Sequence, residues 1–224
     1  MSITPTTPVG RIATEYPLAT RVFARHGVDF CCGGARPLDE ACRAAGAEVG
    51  TLIEEIHREL AARPESPARW DQAPLAGLID HILATYHAPL REELPRLDAM
   101  ARKVLEVHRE KDPAGLVELV QVFAALRAEL EAHLQKEEQI LFPMIKQGHG
   151  SRTGGPVAVM MHEHEEAGGQ LRRLRELTRD YTVPAEACNT WTALWHGLAA
   201  LESDLHQHIH LENNILFPRA LAGS

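Results

Sequence analysis

The chain has 224 residues, 45% of them hydrophobic, with a formal net charge of −8, enough for one large domain or for one of about 150 residues with a small companion. No run approaches the ~20 apolar residues of a membrane span, the opening MSITPTTPVGRIATEYP lacks the apolar stretch of a signal peptide, and nothing resembles the basic footprint of a nucleic-acid-binding protein. A cytoplasmic protein is expected, and its four cysteines read as reduced thiols, too few in a chain this long for a disulfide scaffold.

No period-two alternation occurs, so the chain reads as all-α. Short helical patterns run near residues 15–26, 37–45 and 49–62, with a turn-prone, glycine-rich loop, GVDFCCGGARP, between the first two. Residues 63–73, RPESPARWDQA, are polar, carry two prolines and read as a linker. Beyond them four longer patterns run near 74–108, 115–147, 156–180 and 186–218, broken at Asp112-Pro113, at GHGSRTGG and at Pro184. Four such helices with short connections imply an antiparallel four-helix bundle. The expected division is a small helical cysteine-loop domain over 1–62 and the bundle over 74–224.

One phrase occurs twice, 75 residues apart: HLQKEEQILFP at 133–143 and HIHLENNILFP at 208–218. In each, a His and a Glu four apart project from one face of a helix, and the repeat suggests a duplicated helix pair. The apolar stripe of the second long helix runs Leu119, Phe123, Leu126, Leu130 and then His133, Glu137, Ile140, Met144. That of the fourth runs Leu194, Leu198, Leu201, Leu205 and then His208, Glu212, Ile215. The polar pairs continue the buried face, and a carboxylate in a bundle core is costly unless paired or metal-bound.

The same criterion selects His87 on the first long helix (stripe Ile79, Leu83, His87, Leu90, Leu94, Leu97) and His164 on the third (Met160, His164, Ala167, Leu171, Leu174). His162, His206 and His210 fall on other faces and read as solvent-facing. His26, His57, His108, His149 and His196 read as surface or boundary residues. Six inward groups remain: His87, His133, Glu137, His164, His208 and Glu212. They exceed the four ligands of a structural zinc site, and two helix pairs, each giving two His and one Glu, suit two metals with bridging carboxylates. Imidazole with carboxylate favours iron, and an oxo or hydroxo bridge would reduce the remaining positive charge. The Glu-x-x-His pairs of ferritin-type sites and the His-Glu-x-x-His of zinc proteases are absent from the long helices.

The paired phrases KEEQILFPMIKQG and LENNILFPRALAG, together with DFCCGG near the N-terminus, resemble the repair-of-iron-centres family, hemerythrin-like di-iron proteins of the YtfE/ScdA type. The resemblance covers essentially the whole chain, in the same order of domains. It implies a non-haem di-iron centre held by His87, His133, His164 and His208 with Glu137 and Glu212 bridging. It also implies repair of iron–sulfur clusters damaged by nitrosative or oxidative stress, by supplying iron. Alternatives are nitric oxide reduction at the two irons, which would make the chain an enzyme, and a dioxygen or nitric oxide sensor. Expected partners are damaged iron–sulfur proteins or a cluster scaffold, with nitric oxide or dioxygen as small ligands. The resemblance also allows a homodimer.

Cys31 and Cys32 carry two readings: small residues buried in a tight loop, or a thiol pair acting beside the iron centre. A mutual disulfide between neighbours is strained. Cys42 and Cys188 read as structural. Phe142 and Phe217 read as core plugs, and Pro143 and Pro218 as kinks at helix ends.

Overall fold

The computed structural model describes residues 3–62 and 69–223; residues 63–68 of the expected linker lie outside the described residues. Among these the chain is helical, with one isolated antiparallel bridge, Pro8 to Pro37. Two compact units form: Met1–Asp80 with Ile145–Thr153 and His206–Ser224, and His81–Met144 with Gly154–Leu205.

The first unit contains α1 (Val9–Glu15), α2 (Ala19–Arg25), α3 (Leu38–Ala45), α4 (Val49–Ala62) and the greater part of α5 (Leu75–Ile82). The single pattern expected over 15–26 is broken at Tyr16, because the proline that follows disfavours helical backbone there; Tyr16 takes φ −131°, ψ 76°. Gly46 ends α3 at φ +70°, in the left-handed region where a side chain would be strained. The Glu48 carboxylate starts α4 by accepting from the Gly50 and Thr51 amides at 2.9 and 2.6 Å. Val9, Ile12, Val22, Phe23, Phe30, Leu38, Leu52 and Ile56 form the core of this unit.

The second unit holds α6 (Ala88–His108), α7 (Pro113–Lys136), α8 (Phe142–Lys146, shared with the first unit) and α9 (Gly154–Leu177), and the greater part of α10 (Asn189–Leu211). The Asp112 side chain caps α7 by accepting from the Gly115 amide, with Pro113 in the first turn, where its missing N–H costs nothing. Leucines spaced by three and four on α6, α7, α9 and α10, with Phe123, Trp191 and Trp195, make one bundle core. Each fully buried leucine contributes about 1.5–3 kcal/mol relative to exposure.

Among the described residues three helices are interrupted by one wide π-turn each: Leu83–His87, Glu137–Leu141 and Glu212–Leu216. In each, the N–H that follows the turn (Ala88, Phe142, Phe217) donates five residues back, to the carbonyl of Leu83, Glu137 or Glu212. A proline follows at the same offset every time: 83 to 89, 137 to 143, 212 to 218. A proline in an ordinary helix leaves a carbonyl without its donor, and the wide turn has already shifted the ladder there. Proline alone does not dictate the turn, since Pro95 lies inside α6.

The extra residue also changes which side chains face inward. Ile140, expected on the buried stripe, is 53% exposed, while Leu141, Phe142 and Ile145 are buried. On the first long helix the buried sequence runs Ile79, Ile82, His87, with Leu83 only half-buried. Pro143 and Pro218 do not end their helices, which continue as α8 to Lys146 and as α11 (Phe217–Ala222). Phe142 and Phe217 are both buried.

Candidate metal centre

Each π-turn carries a member of the six. His87 is the last residue of the first turn, and Glu137 and Glu212 open the second and third. His133, His164 and His208 stand on regular helix of α7, α9 and α10. A π-turn is a common device for re-aiming a side chain at a functional site. All six side chains are buried, the two carboxylates completely.

Within the second unit, Glu137 Oε2 lies 3.5 Å from His87 Nε2 and 3.4 Å from His133 Nε2. His133 Nε2 is also 3.0 Å from His164 Nε2. In the first unit His208 Nε2 approaches Glu212 Oε1 at 3.0 Å. Neither oxygen of Glu137 accepts a hydrogen bond among the described residues. A carboxylate taken fully out of water without a donor costs several kcal/mol, and a cation resolves the cost. Within the second unit His133, Glu137 and His164 offer ligand atoms within 4.8 Å of one another, and in the first unit His208 and Glu212 form a second imidazole–carboxylate pair. This donor set, imidazole nitrogens with carboxylate oxygens, fits iron chemically.

Residues beside the six also take part, and the sequence alone passed over them. Glu138 reaches His87 Nδ1 at 2.9 Å and Glu163 reaches His133 Nδ1 at 2.8 Å. Burial works to raise both carboxyls. Hydrogen bonds from His87 and Arg91 to Glu138, and from Lys136 and His133 to Glu163, outweigh it and bring both below their ordinary value. The available signal was adjacency, for each follows or precedes one of the six directly.

His162 is exposed, as expected. His210 is not: it is buried, edge-on to Phe30 with ring centroids 5.6 Å apart, and His206 is half-buried beside the same ring. The expectation of a solvent face failed because the cysteine loop packs on that side of the helix within the first unit. Burial pushes the His210 imidazole down to about 4, against an opposing backbone hydrogen bond with Phe30. Asn214 Nδ2 donates to the carbonyls of Phe30 at 3.2 Å and Cys31 at 3.1 Å, and to His210 Nδ1 at 3.2 Å.

In that loop Asp29 Oδ1 accepts from the amides of Cys31 and Cys32 and from the Cys31 thiol, at 3.1, 3.0 and 3.3 Å. The two sulfurs lie 3.8 Å apart, with Cys31 buried and Cys32 partly exposed. The hydrogen bond with Cys32, then burial, then the charge of Cys32 and of Asp29 push the Cys31 thiol well above its ordinary value. Ligand atoms of Asp29, Cys31 and Cys32 also fall within 4.8 Å of one another. Cys42 is buried, whereas Cys188 is exposed, 3.2 Å from His108 Nε2.

No helix among the described residues is long and apolar enough to cross a membrane. Residues 78–220 match the hemerythrin HHE cation-binding domain, and residues 6–60 match ScdA_N, a domain of unknown function (DUF542). The iron-sulfur cluster repair protein YtfE of Escherichia coli O157:H7 is 48% identical over 220 residues, 96% of this chain and 97% of the relative. Proteins of the same name from E. coli O8 and Shigella boydii serotype 4 are each 47% identical over the same shares. The chain, an all-α protein with a cation-binding helical bundle behind an ScdA-type domain, belongs to the hemerythrin-like family of YtfE iron-sulfur cluster repair proteins.

Proposed function

We propose that His87, His133, Glu137, His164, His208 and Glu212 hold two iron ions, with Glu137 and Glu212 bridging, and that the chain repairs damaged iron–sulfur clusters by supplying iron. The observation that carries this reading is the wholly buried Glu137 carboxylate, which has no hydrogen-bond donor among the described residues and lies against the imidazoles of His87 and His133, with the second imidazole–carboxylate pair, His208 and Glu212, equally buried. Iron bound there is both held and transferable cargo. The chain's own residues keep it from bulk water, present neutral imidazole nitrogens and offset its charge with two carboxylates. Four of six ligands are neutral, so the net positive charge left in an apolar surround favours release more than an all-carboxylate cage would.

The names of the relatives favour repair over nitric oxide reduction or ligand sensing. The Cys31–Cys32 pair belongs to the proposal as the thiol element that receives or guides iron, with damaged iron–sulfur proteins or a cluster scaffold as acceptor. The test is metal analysis of purified full-length variants. Glu137→Ala and Glu212→Ala should each lower iron per chain sharply, and His162→Ala should not; equal iron in all three defeats the ligand assignment. Iron-loaded protein should restore activity to a cluster enzyme inactivated by nitric oxide, and Cys31→Ala with Cys32→Ala should keep its iron yet repair poorly. A loaded protein that never passes iron to the damaged enzyme or to a scaffold would falsify the repair reading.

A further inference from the structure

Two of the imidazoles are gripped from behind by the same construction. His87 Nδ1 lies 2.9 Å from Glu138 Oε1, and the other oxygen of Glu138 pairs with Arg91, one helical turn beyond His87 on the same helix. His133 Nδ1 lies 2.8 Å from Glu163 Oε2, and the other oxygen of Glu163 pairs with Lys136, one turn beyond His133 on α7. In each case one helix supplies the imidazole and the cation, and its neighbour supplies the carboxylate that spans them. The carboxylate adjoins a candidate ligand of its own helix: Glu138 follows Glu137, and Glu163 precedes His164. Both carboxylates are about three-quarters buried, at 26% and 25% exposure, while Arg91 and Lys136 reach solvent at 57% and 40%.

A surface ion pair by itself is worth little, and it has no need to reach a ring that is almost wholly buried. An ionised carboxylate only accepts hydrogen bonds. Glu138 and Glu163 therefore place the proton of each ring on Nδ1 and leave Nε2 as the unprotonated nitrogen that a cation can take, and both Nε2 atoms face Glu137 Oε2. We infer that Glu138 and Glu163 are positioning residues, which set the tautomer and direction of His87 and His133 so that both Nε2 atoms stay aimed at the cation, with Arg91 and Lys136 anchoring the carboxylates. Outer partners of this kind tune metal affinity by about 10–100-fold.

The inference rests on the iron reading above, and its test separates the two. Full-length wild type, Glu138→Ala, Glu163→Ala, the two Gln variants and Glu165→Ala, an exposed neighbour on α9, are loaded anaerobically with ferrous iron. Each is challenged with a ferrous chelator, reading iron retained per chain and its release time course beside apo-protein stability. Each Ala variant should release about half its iron roughly 10–100-fold faster than wild type, and the double Ala variant should release all of it fast. The Gln variants, which still accept the Nδ1 proton but carry no charge, should fall between, and Glu165→Ala should match wild type. If wild type loads and both Ala variants release at its rate, the positioning role is overturned while the iron reading stands. If the variants lose apo stability without any change in relative release, the residues are merely structural and the role is likewise overturned. A wild-type chain that takes up no iron overturns the iron reading and this inference with it.

Discussion

The Asn214 side-chain amide donates to the carbonyl of Cys31 at 3.1 Å, two positions beyond Glu212 in the same π-turn. Asn213 adds a longer bond to the same carbonyl at 3.4 Å. In the first copy of the repeated phrase these two positions are Glu138 and Gln139. The residue following the buried Glu thus serves an imidazole in one copy of the phrase and the thiol loop in the other.

Asn214→Ala should therefore loosen the cysteine loop. It removes hydrogen bonds to two backbone carbonyls, and a loss of about 1–3 kcal/mol in the stability of the chain is expected. Urea unfolding of the apo protein reads it, and an unchanged midpoint would show that the loop does not depend on this residue.

Gly10 and Gly34 give Asn214 its room. A Cβ at either position would come within 2.3 or 2.0 Å of Asn214 Oδ1. Gly34→Ala should displace Asn214 and cost about 1–3 kcal/mol, as overpacking of a tight site does. The Asn214→Ala and Gly34→Ala double variant should recover part of that loss, because the clashing group is gone. Strict additivity in a double-mutant cycle would refute the contact.

Thiol labelling should follow burial and proton affinity. With iodoacetamide at mildly alkaline pH, Cys188 and then Cys32 should react in the native chain. Cys31 and Cys42, buried and with thiols raised above their ordinary values, should stay protected. In Asn214→Ala, Cys31 should become accessible. Peptide mapping by mass spectrometry decides, and native Cys31 reacting as fast as Cys188 would contradict the loop geometry.

Gln139 is exposed, and deleting an exposed residue is usually mild. Here deletion closes the wide turn into regular helix and sets Leu141, Phe142 and Ile145 three, four and seven places beyond Glu137, the spacing of one helix face, so they keep their core positions. The wide turn that aims Glu137 is lost, and the expected result is weaker iron binding with stability little changed, measured by metal analysis and thermal unfolding. The same deletion placed in α7 at Gln135, also exposed, has no extra residue to absorb it: it rotates everything beyond by about 100° relative to His133 and should cost both iron and several kcal/mol of stability.

Glu137→Met should separate stability from function. Among the described residues this buried carboxylate has no hydrogen-bond donor, so a methionine of similar volume should stabilise the iron-free protein by about 1–4 kcal/mol while removing iron binding. An apo variant less stable than apo wild type would mean that the carboxylate is already satisfied without metal.

The amino-acid order alone determined the all-α class and the inward placing of six polar side chains, because ionisable groups that interrupt an apolar stripe at helical spacing have nowhere else to point. Leu119 to Glu137 and Leu194 to Glu212 keep steps of three and four without a break, and that is readable from local periodicity. Tertiary structure alone decided what lies beyond Glu137 and Glu212. A π-turn adds one residue to the helix and shifts its phase, which is how Ile140 came to solvent while Leu141 and Phe142 went inside. It also decided His210, which sits opposite His208 on a face that local spacing assigns to solvent, and which a distant segment, Phe30 and the cysteine loop, covers. Helical periodicity is a property of neighbours in sequence; the burial of His210 and the grip of Glu138 on His87 depend on chain segments far apart, and no local pattern encodes which of them will meet.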